Sequence, residues 1–233
     1  MDKHLVKHIF FDLDNTLWDH RKNSEETLKK MYAEYDMENS YQIPFDKWHS
    51  VFYDKNELLW EMIREGQIPK AELRKRRFRD PFSHFDIQND ALADEWEEIY
   101  LTRMGKMNGI VEGAVELLQY LEPKYHLHII TNGFIEVSSA KIENSALNGY
   151  FQTLTCADEL NLRKPDPRIF HLAMEKSQAK NSESLIIGDD WIADIIGGIG
   201  VGWQAIFFDT LRANNQMPKV PNVKKLQEII PIL

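Results

Sequence analysis

Carboxylates stand where short apolar runs end. The β-prone run 7–11 stops at Asp12, Asp14 follows two residues on, and Thr16 two further. The run 185–188 stops at the pair Asp189-Asp190, and Asp194 comes five residues after Asp189. In open parallel sheets ligands bind beyond the carboxyl ends of the strands, so adjacent strands would bring Asp12, Asp14 and Asp189 together. Carboxylates at close range repel one another, and burial sharpens the repulsion. A hard divalent cation relieves it, and a set of oxygen donors points to Mg²⁺ rather than to zinc or copper.

Two other strand ends supply groups of complementary character. Thr131-Asn132-Gly133 follows an apolar run and offers a hydroxyl, an amide and backbone N–H donors to an anion, with a glycine that permits close approach. Lys164 lies in Arg163-Lys164-Pro165-Asp166-Pro167, a proline-bracketed loop that would hold its positive charge in one place. Acid cluster, cation, hydroxyl and lysine together describe a site for a phosphoryl group. One carboxylate can act as nucleophile, and a second, two residues on, as general acid and then base.

The elements that must position these residues follow from periodicity. Short apolar runs at 7–12, 127–131, 153–155, 185–188 and 205–208 read as buried strands. Helical patterns lie at 112–122, where Pro123 ends the pattern, at 167–176, which opens on a proline, and at 223–230. Strands alternating with helices predict an α/β fold with a Rossmann-like parallel sheet covered on both faces. Residues 19–106 break the alternation. Leu28, Met31, Tyr32 and Tyr35, then Trp48, Phe52, Leu59, Met62 and Ile63, then Trp96, Ile99 and Tyr100 recur at helical spacing, and Gly66 and Pro69 mark a turn. The expected organisation is a catalytic core of residues 1–18 and 107–233, with an α-helical domain, residues 19–106, inserted into it.

Composition narrows the class. At 233 residues, 43% hydrophobic and 28% charged, the chain is long enough to fold on its own core and too apolar to be disordered. A net charge of −9 lacks the electrostatic footprint of a nucleic-acid binder. The run Arg74-Lys75-Arg76-Arg77 with Arg79 is offset by its surroundings, since residues 19–106 carry 15 basic and 19 acidic side chains, and it reads as a solvated helix face with acidic neighbours. The single cysteine, Cys156, excludes an intrachain disulfide and reads as a small buried residue. The eight histidines form no ligand spacing. The first residues fit neither a signal peptide nor a membrane span, so a cytoplasmic protein is expected.

The four strand-end motifs resemble those of the haloacid dehalogenase (HAD) superfamily of phosphohydrolases. Asp12-Leu13-Asp14-Asn15-Thr16 matches its first motif, D-x-D-x-T/V; Ile130-Thr131-Asn132-Gly133 is similar to the second, Lys164-Pro165-Asp166 to the third, and Gly188-Asp189-Asp190-Trp191-Ile192-Ala193-Asp194 fits G-D-x-x-x-x-D. Any one motif is weak, but the four stand in the family's order. The resemblance implies that Asp12 attacks phosphorus and forms an aspartyl-phosphate, and that Asp14 protonates the leaving group and then activates water. It implies that Thr131, Asn132 and Lys164 bind the phosphoryl group. Mg²⁺ would sit between the Asp12 carboxylate, the Asp14 backbone carbonyl and Asp189. Asp194 and Asp190 would support the metal shell, or Asp194 would orient the Lys164 ammonium.

The inserted domain is similar to the family's helical cap. Asn56-Glu57-Leu58-Leu59-Trp60, Gly66-Gln67-Ile68 and Arg77-Phe78 resemble the noncanonical pyrimidine 5′-nucleotidase group of this superfamily. That resemblance implies a Mg²⁺-dependent phosphatase of nucleoside 5′-monophosphates, with a small phosphorylated substrate and neither a nucleic-acid polymer nor a membrane as partner. A sugar-phosphate phosphatase, a phosphomutase, a 2-haloacid dehalogenase and a binding protein on an inactive scaffold are the competing readings. Asp14 argues against the dehalogenase, which does not require a second acid in the first motif. Trp18, just past the first motif, is a candidate for substrate contact, whereas Trp48, Phe52 and Trp96 read as packing.

Overall fold

The computed structural model of the protein describes residues 2–159, 162–211 and 216–233. Its Cα framework separates into two compact units, Met1–His20 with Met107–Leu233, and Arg21–Lys106.

The first unit is built on six parallel strands: β1 (His8–Phe11), β2 (His126–Thr131), β3 (Thr153–Cys156), β4 (Ser184–Gly188), β5 (Gln204–Phe208) and β6 (Asn222–Val223), in the order β3-β2-β1-β4-β5-β6. The central strands are continuous apolar runs because both faces of the sheet are covered. Phe10, Ile130, Ile186, Ala205 and Phe207 share one buried cluster with Ile169, Phe170 and Ala173. The residues of opposite parity, Ile9, Phe11, Ile129, Leu185, Ile187 and Ile206, are just as buried. Register pairs Phe11 with Ile129 on one side and with Ile187 on the other, so the carboxyl ends of β1, β2 and β4 lie within two residues of one another. The chain runs outward from β1 through β2 to β3 and then returns to β4 on the other side of β1. That reversal is a topological switch point, the place where such sheets bind ligands.

Residues 21–106 form a helical unit with no strand among the described residues. It holds α1 (His20–Glu34, starting one residue earlier), α2 (Met37–Tyr41), α3 (Phe45–Arg64), α4 (Lys70–His84) and α5 (Asp90–Met104). Its core is aromatic. Trp48 stacks on Phe52 at 5.4 Å and meets Trp96 edge-on at 5.5 Å, while Phe78 packs edge-on against Tyr100 at 5.6 Å. The basic run lies on α4 and faces carboxylates. Arg74 pairs with Glu98, Arg76 with Asp80, and Arg79 with Asp90 and Asp94. Arg77 departs from the solvated face expected of the run. It is buried, bonds both oxygens of Glu97 at 3.1 and 3.2 Å, and places its guanidinium 5.5 Å from the Tyr100 ring centroid. Helical geometry puts Arg77 on the same side as Leu73 and Phe78, which are also buried, so its charge needs an internal partner.

The remaining helices of the first unit are α6 (Ala114–Leu121), α7 (Ile135–Glu143), α8 (Pro167–Ser177) and α9 (Gly197–Gly200). The helix expected at 223–230 is corrected by the structure. Val223 belongs to the edge strand β6, and only a 3₁₀ turn, Leu226–Ile229, follows. Leu226 and Ile229, three apart, bury the same face in either geometry, which is why the spacing reads as helical. α7 has no apolar stripe to announce it. Its buried residues are Ser138 and Lys141, while Ile135 is exposed. No helix among the described residues is long and apolar enough to cross a membrane.

Candidate active site

β1 delivers Asp12 to the switch point, and the Asp12 N–H donates to the Ile187 carbonyl of β4 (2.9 Å), which ties the two strand ends together. The chain then turns tightly. Asn15 adopts a left-handed conformation (φ 65°) that asparagine tolerates better than most residues, and its N–H donates to the Trp18 carbonyl at 2.7 Å. Thr16, fully buried in this turn, donates its hydroxyl to Asp189 Oδ1 at 3.4 Å, which links the first motif to the end of β4.

Lys164 is the centre of the site. Its ammonium is 1% exposed and donates three hydrogen bonds, to Asp12 Oδ1 (2.7 Å), Asp194 Oδ1 (2.6 Å) and the Ile130 carbonyl (2.8 Å), which satisfies all its protons. Burial alone would favour loss of its proton, but the two carboxylates beside it push its pKa up instead. Burial pushes Asp12 and Asp194 up as well, against the pull of Lys164. Two carboxyls share one ammonium here, so a further cation would favour the ionised form of both.

Asn132 and Arg163 set the lysine in place. The Asn132 amide donates to the Lys164 carbonyl (3.1 Å) while its oxygen accepts from the Lys164 N–H (2.8 Å). Arg163 Nη1 donates to the Asn132 carbonyl at 2.6 Å. The Asn132 side chain is thereby held by the Lys164 backbone, with its second amide proton and its main-chain N–H as the donors it can offer an anion. Thr131 ends β2 almost fully buried, with its hydroxyl oxygen accepting from the Gly133 N–H at 3.0 Å.

The fourth motif divides its carboxylates between different tasks. Asp194 has both oxygens occupied, Oδ1 by Lys164 and Oδ2 by the Asp190 N–H at 3.1 Å. Asp190 caps the π-helical turn Trp191–Ile196, its Oδ1 accepting from the N–H groups of Ile192 and Ala193, both at 2.9 Å. Asp189 is left facing the site, more exposed than either neighbour of its cluster. Ligand atoms of Asp12, Asp189 and Asp194 lie within 4.8 Å of one another.

Asp14 has a partner the motif reading missed. Lys141 Nζ donates to Asp14 Oδ1 at 2.6 Å, and His20 Nδ1 lies 3.7 Å from the same oxygen. Burial would raise the Asp14 pKa, but the charge of Lys141 and the nearby His20 hold it well below the usual carboxylate range. Trp18, expected as a substrate contact, is fully buried. Its indole N–H donates to the Met107 carbonyl (3.3 Å), and its ring face carries the Lys141 ammonium 4.3 Å from the centroid. The one signal for Lys141 in the sequence is its i,i+3 spacing from Ser138, a pattern that separates buried from solvated polar residues only once the helix is docked. Cys156 is buried, and desolvation pushes its thiol up to about 12, which suits packing and not nucleophilic chemistry.

A buried lysine thus joins the aspartate that follows β1 to one in the turn after β4. The chain belongs to the haloacid dehalogenase-like hydrolase family, whose model matches residues 6–202. It is similar to pyrimidine 5′-nucleotidase YjjG of Escherichia coli (strain K12), with 29% identity over 195 residues that cover 83% of this chain and 82% of the relative. It is similar to pyrimidine 5′-nucleotidase PynA of Streptococcus pneumoniae, with 28% identity over 233 residues that cover 97% and 94%. Among solved structures it shares its fold with the HAD-hydrolase YfnB of Bacillus subtilis, crystallised bound to magnesium (TM-score 0.86, 23% identity, 98% of each chain covered).

Proposed function

We propose that this hydrolase is a Mg²⁺-dependent phosphomonoesterase that works through an aspartyl-phosphate and acts on nucleoside 5′-monophosphates of pyrimidine type. The observation that carries the chemistry is the placement of Asp12. Its Oδ1 is held by Lys164, which leaves the other oxygen as the nucleophile. The substrate class rests on the similarity to YjjG and PynA and on the cap-like motifs at Asn56–Trp60 and Arg77–Phe78. In this reading residues 19–106 serve as the cap and residues 1–18 with 107–233 as the catalytic core.

The donor set fits a hard cation. Every candidate ligand atom is an oxygen, and the buried cluster sets two carboxyls against one ammonium. Asp12 and Asp189 would hold the ion, with the Asp14 backbone carbonyl, while Asp194 stays committed to Lys164 and to the Asp190 N–H. When bound, Mg²⁺ would neutralise charge between the nucleophile and the phosphoryl oxygens.

The chain's own residues supply the remainder. The Thr131 hydroxyl, oriented by the Gly133 N–H, binds phosphoryl oxygens together with the Lys164 ammonium and Asn132. Asp12 Oδ attacks phosphorus as the ester P–O bond breaks, and the departing oxygen takes a proton from Asp14. Water then attacks the phosphorus of the aspartyl-phosphate, its proton passes to Asp14, and inorganic phosphate leaves with the Asp12 carboxylate restored. Asp14 rests ionised beside Lys141, which is the form that accepts the water's proton. The negative charge of an arriving phosphoryl group favours its protonation for the first step.

Phosphate release from a panel of nucleoside monophosphates and sugar phosphates, with Mg²⁺ and with chelator, tests the proposal. Chelator-sensitive release, fastest on pyrimidine monophosphates, is expected. Release from sugar phosphates alone would discard the nucleotidase and keep the phosphatase. Halide release from 2-haloacids without phosphate release would overturn both.

A further inference from the structure

We propose that Lys141 is a positioning residue that fixes the Asp14 carboxylate for proton transfer. The inference rests on the phosphatase reading of the site and adds a residue outside the four motifs. Asp14 Oδ1 accepts from Lys141 at 2.6 Å, so one oxygen is anchored. Asp14 Oδ2 lies 3.6 Å from where a Cβ on Gly133 would stand, and that same point is 3.3 Å from Thr131 Oγ1. The second oxygen and the proposed phosphoryl-binding hydroxyl thus border the same point over Gly133.

Lys141 is itself held rigidly enough to do this. It lies on the inner face of α7 with Ser138, one turn earlier, and both are buried. The Trp18 ring supports its ammonium from one side, and Trp18 belongs to the same turn as Asp14, joined to it by an isolated bridge. One aromatic face and one carboxylate thus confine a cation that ordinarily keeps large rotamer freedom in water. A carboxylate alone on a tight turn would rotate about its terminal torsion, which is broad. With Oδ1 pinned, that rotation is removed, and only Oδ2 is presented to the leaving oxygen and to the attacking water. A loss of overall activity is common to positioning and packing roles, whereas dependence on the leaving group belongs to positioning alone.

The test compares kcat/KM on 4-nitrophenyl phosphate, whose leaving group departs without a proton, with kcat/KM on nucleoside and alkyl phosphates, whose leaving groups need one. In Lys141→Met, kcat/KM on the alkyl esters is expected to fall about a hundredfold and on 4-nitrophenyl phosphate less than about fivefold. Lys141→Arg, which keeps the charge, is expected to recover most of the alkyl-ester activity. Should the methionine variant not fold, Lys141→Gln carries the same comparison. An equal loss on both ester classes would overturn the proposal. If the wild-type protein hydrolyses neither ester, the phosphatase reading falls, and positioning is then judged from crystal structures alone. An Asp14 carboxylate that keeps its orientation in Lys141→Met would overturn it, and a rotated one would support it.

Discussion

Lys164 and Asp12 are 152 residues apart in sequence and 2.7 Å apart in the folded protein, both buried, Asp12 just past β1 and Lys164 in the loop before α8. Asp194 accepts from the same ammonium at 2.6 Å, so the nucleophile is oriented through a lysine that is itself oriented. Removing Lys164 would leave two buried carboxylates uncompensated. Lys164→Met is expected to abolish turnover and to destabilise the protein by about 3–5 kcal/mol, the usual effect of breaking a buried pair by deleting one partner. Urea midpoints at unchanged slope measure the second effect, and a variant as stable as wild type would refute it.

The two aspartates of the first motif carry distinct steps in the proposed mechanism. Asp12→Asn removes the nucleophile, and Asp14→Asn removes the proton donor and acceptor. Each is expected to lower turnover by more than about a thousandfold. Steady-state kinetics on the best phosphomonoester measures this, and near-wild-type turnover in either variant defeats the mechanism.

Gly188 ends β4 where the Asp194 carboxylate crosses directly over its α-carbon, so a side chain there would collide with Asp194 Oδ2, Cγ and Cβ. Gly188→Ala is expected to displace Asp194, loosen Lys164 and lower activity at least about tenfold, with a stability loss of about 1–3 kcal/mol for overpacking. A variant with full activity and an unshifted melting temperature would show that the close approach is dispensable.

Acid should weaken the first unit through a histidine cluster far from the catalytic strand ends. His128 on β2 is buried, bonded to His8 at 3.1 Å and to Thr153 at 2.9 Å, and stacked on Phe10. Desolvation, with the nearby His8 and His126, lowers its pKa from 6.5 to about 3. The unfolded chain therefore takes up this proton near pH 6.5 while the folded chain takes it up only near 3. Stability is full above pH 6.5 and falls as pH drops through that window, with a limiting slope of about 1.4 kcal/mol per pH unit from this group. Unfolding curves from pH 7 to 4 for wild type and His128→Asn provide the measurement, and identical slopes would remove the assignment.

In the helical unit, Arg77 and Glu97 form a buried pair, and burial pushes the Glu97 carboxyl up despite its arginine neighbours. Arg77→Met is expected to cost about 3–5 kcal/mol, and the double variant Arg77→Met with Glu97→Leu markedly less. A double-mutant cycle on thermal unfolding checks this. Additive losses would mean that the two charges do not stabilise each other.

What could be read along the chain was local. Each strand is a short apolar run, each candidate carboxylate ends one, and the proline-bracketed loop marks Lys164, so fold class and motif residues follow from adjacent positions. The residues that escaped such reading owe their roles to packing. Lys141 and Arg77 look like surface cations because helical spacing alone does not say which side of a helix faces inward. Trp18 was legible as an aromatic beside the first motif, but only docking of α7 shows that its ring supports Lys141 and is closed to solvent. The 223–230 segment has helical spacing and yet forms an edge strand and a 3₁₀ turn, because pairing with β5 supplies backbone hydrogen bonds that periodicity does not record. The sequence determined which groups stand at the strand ends. The tertiary structure decided which charges those groups meet, because burial and partnership are set by elements more than a hundred residues apart meeting at the carboxyl ends of the central strands.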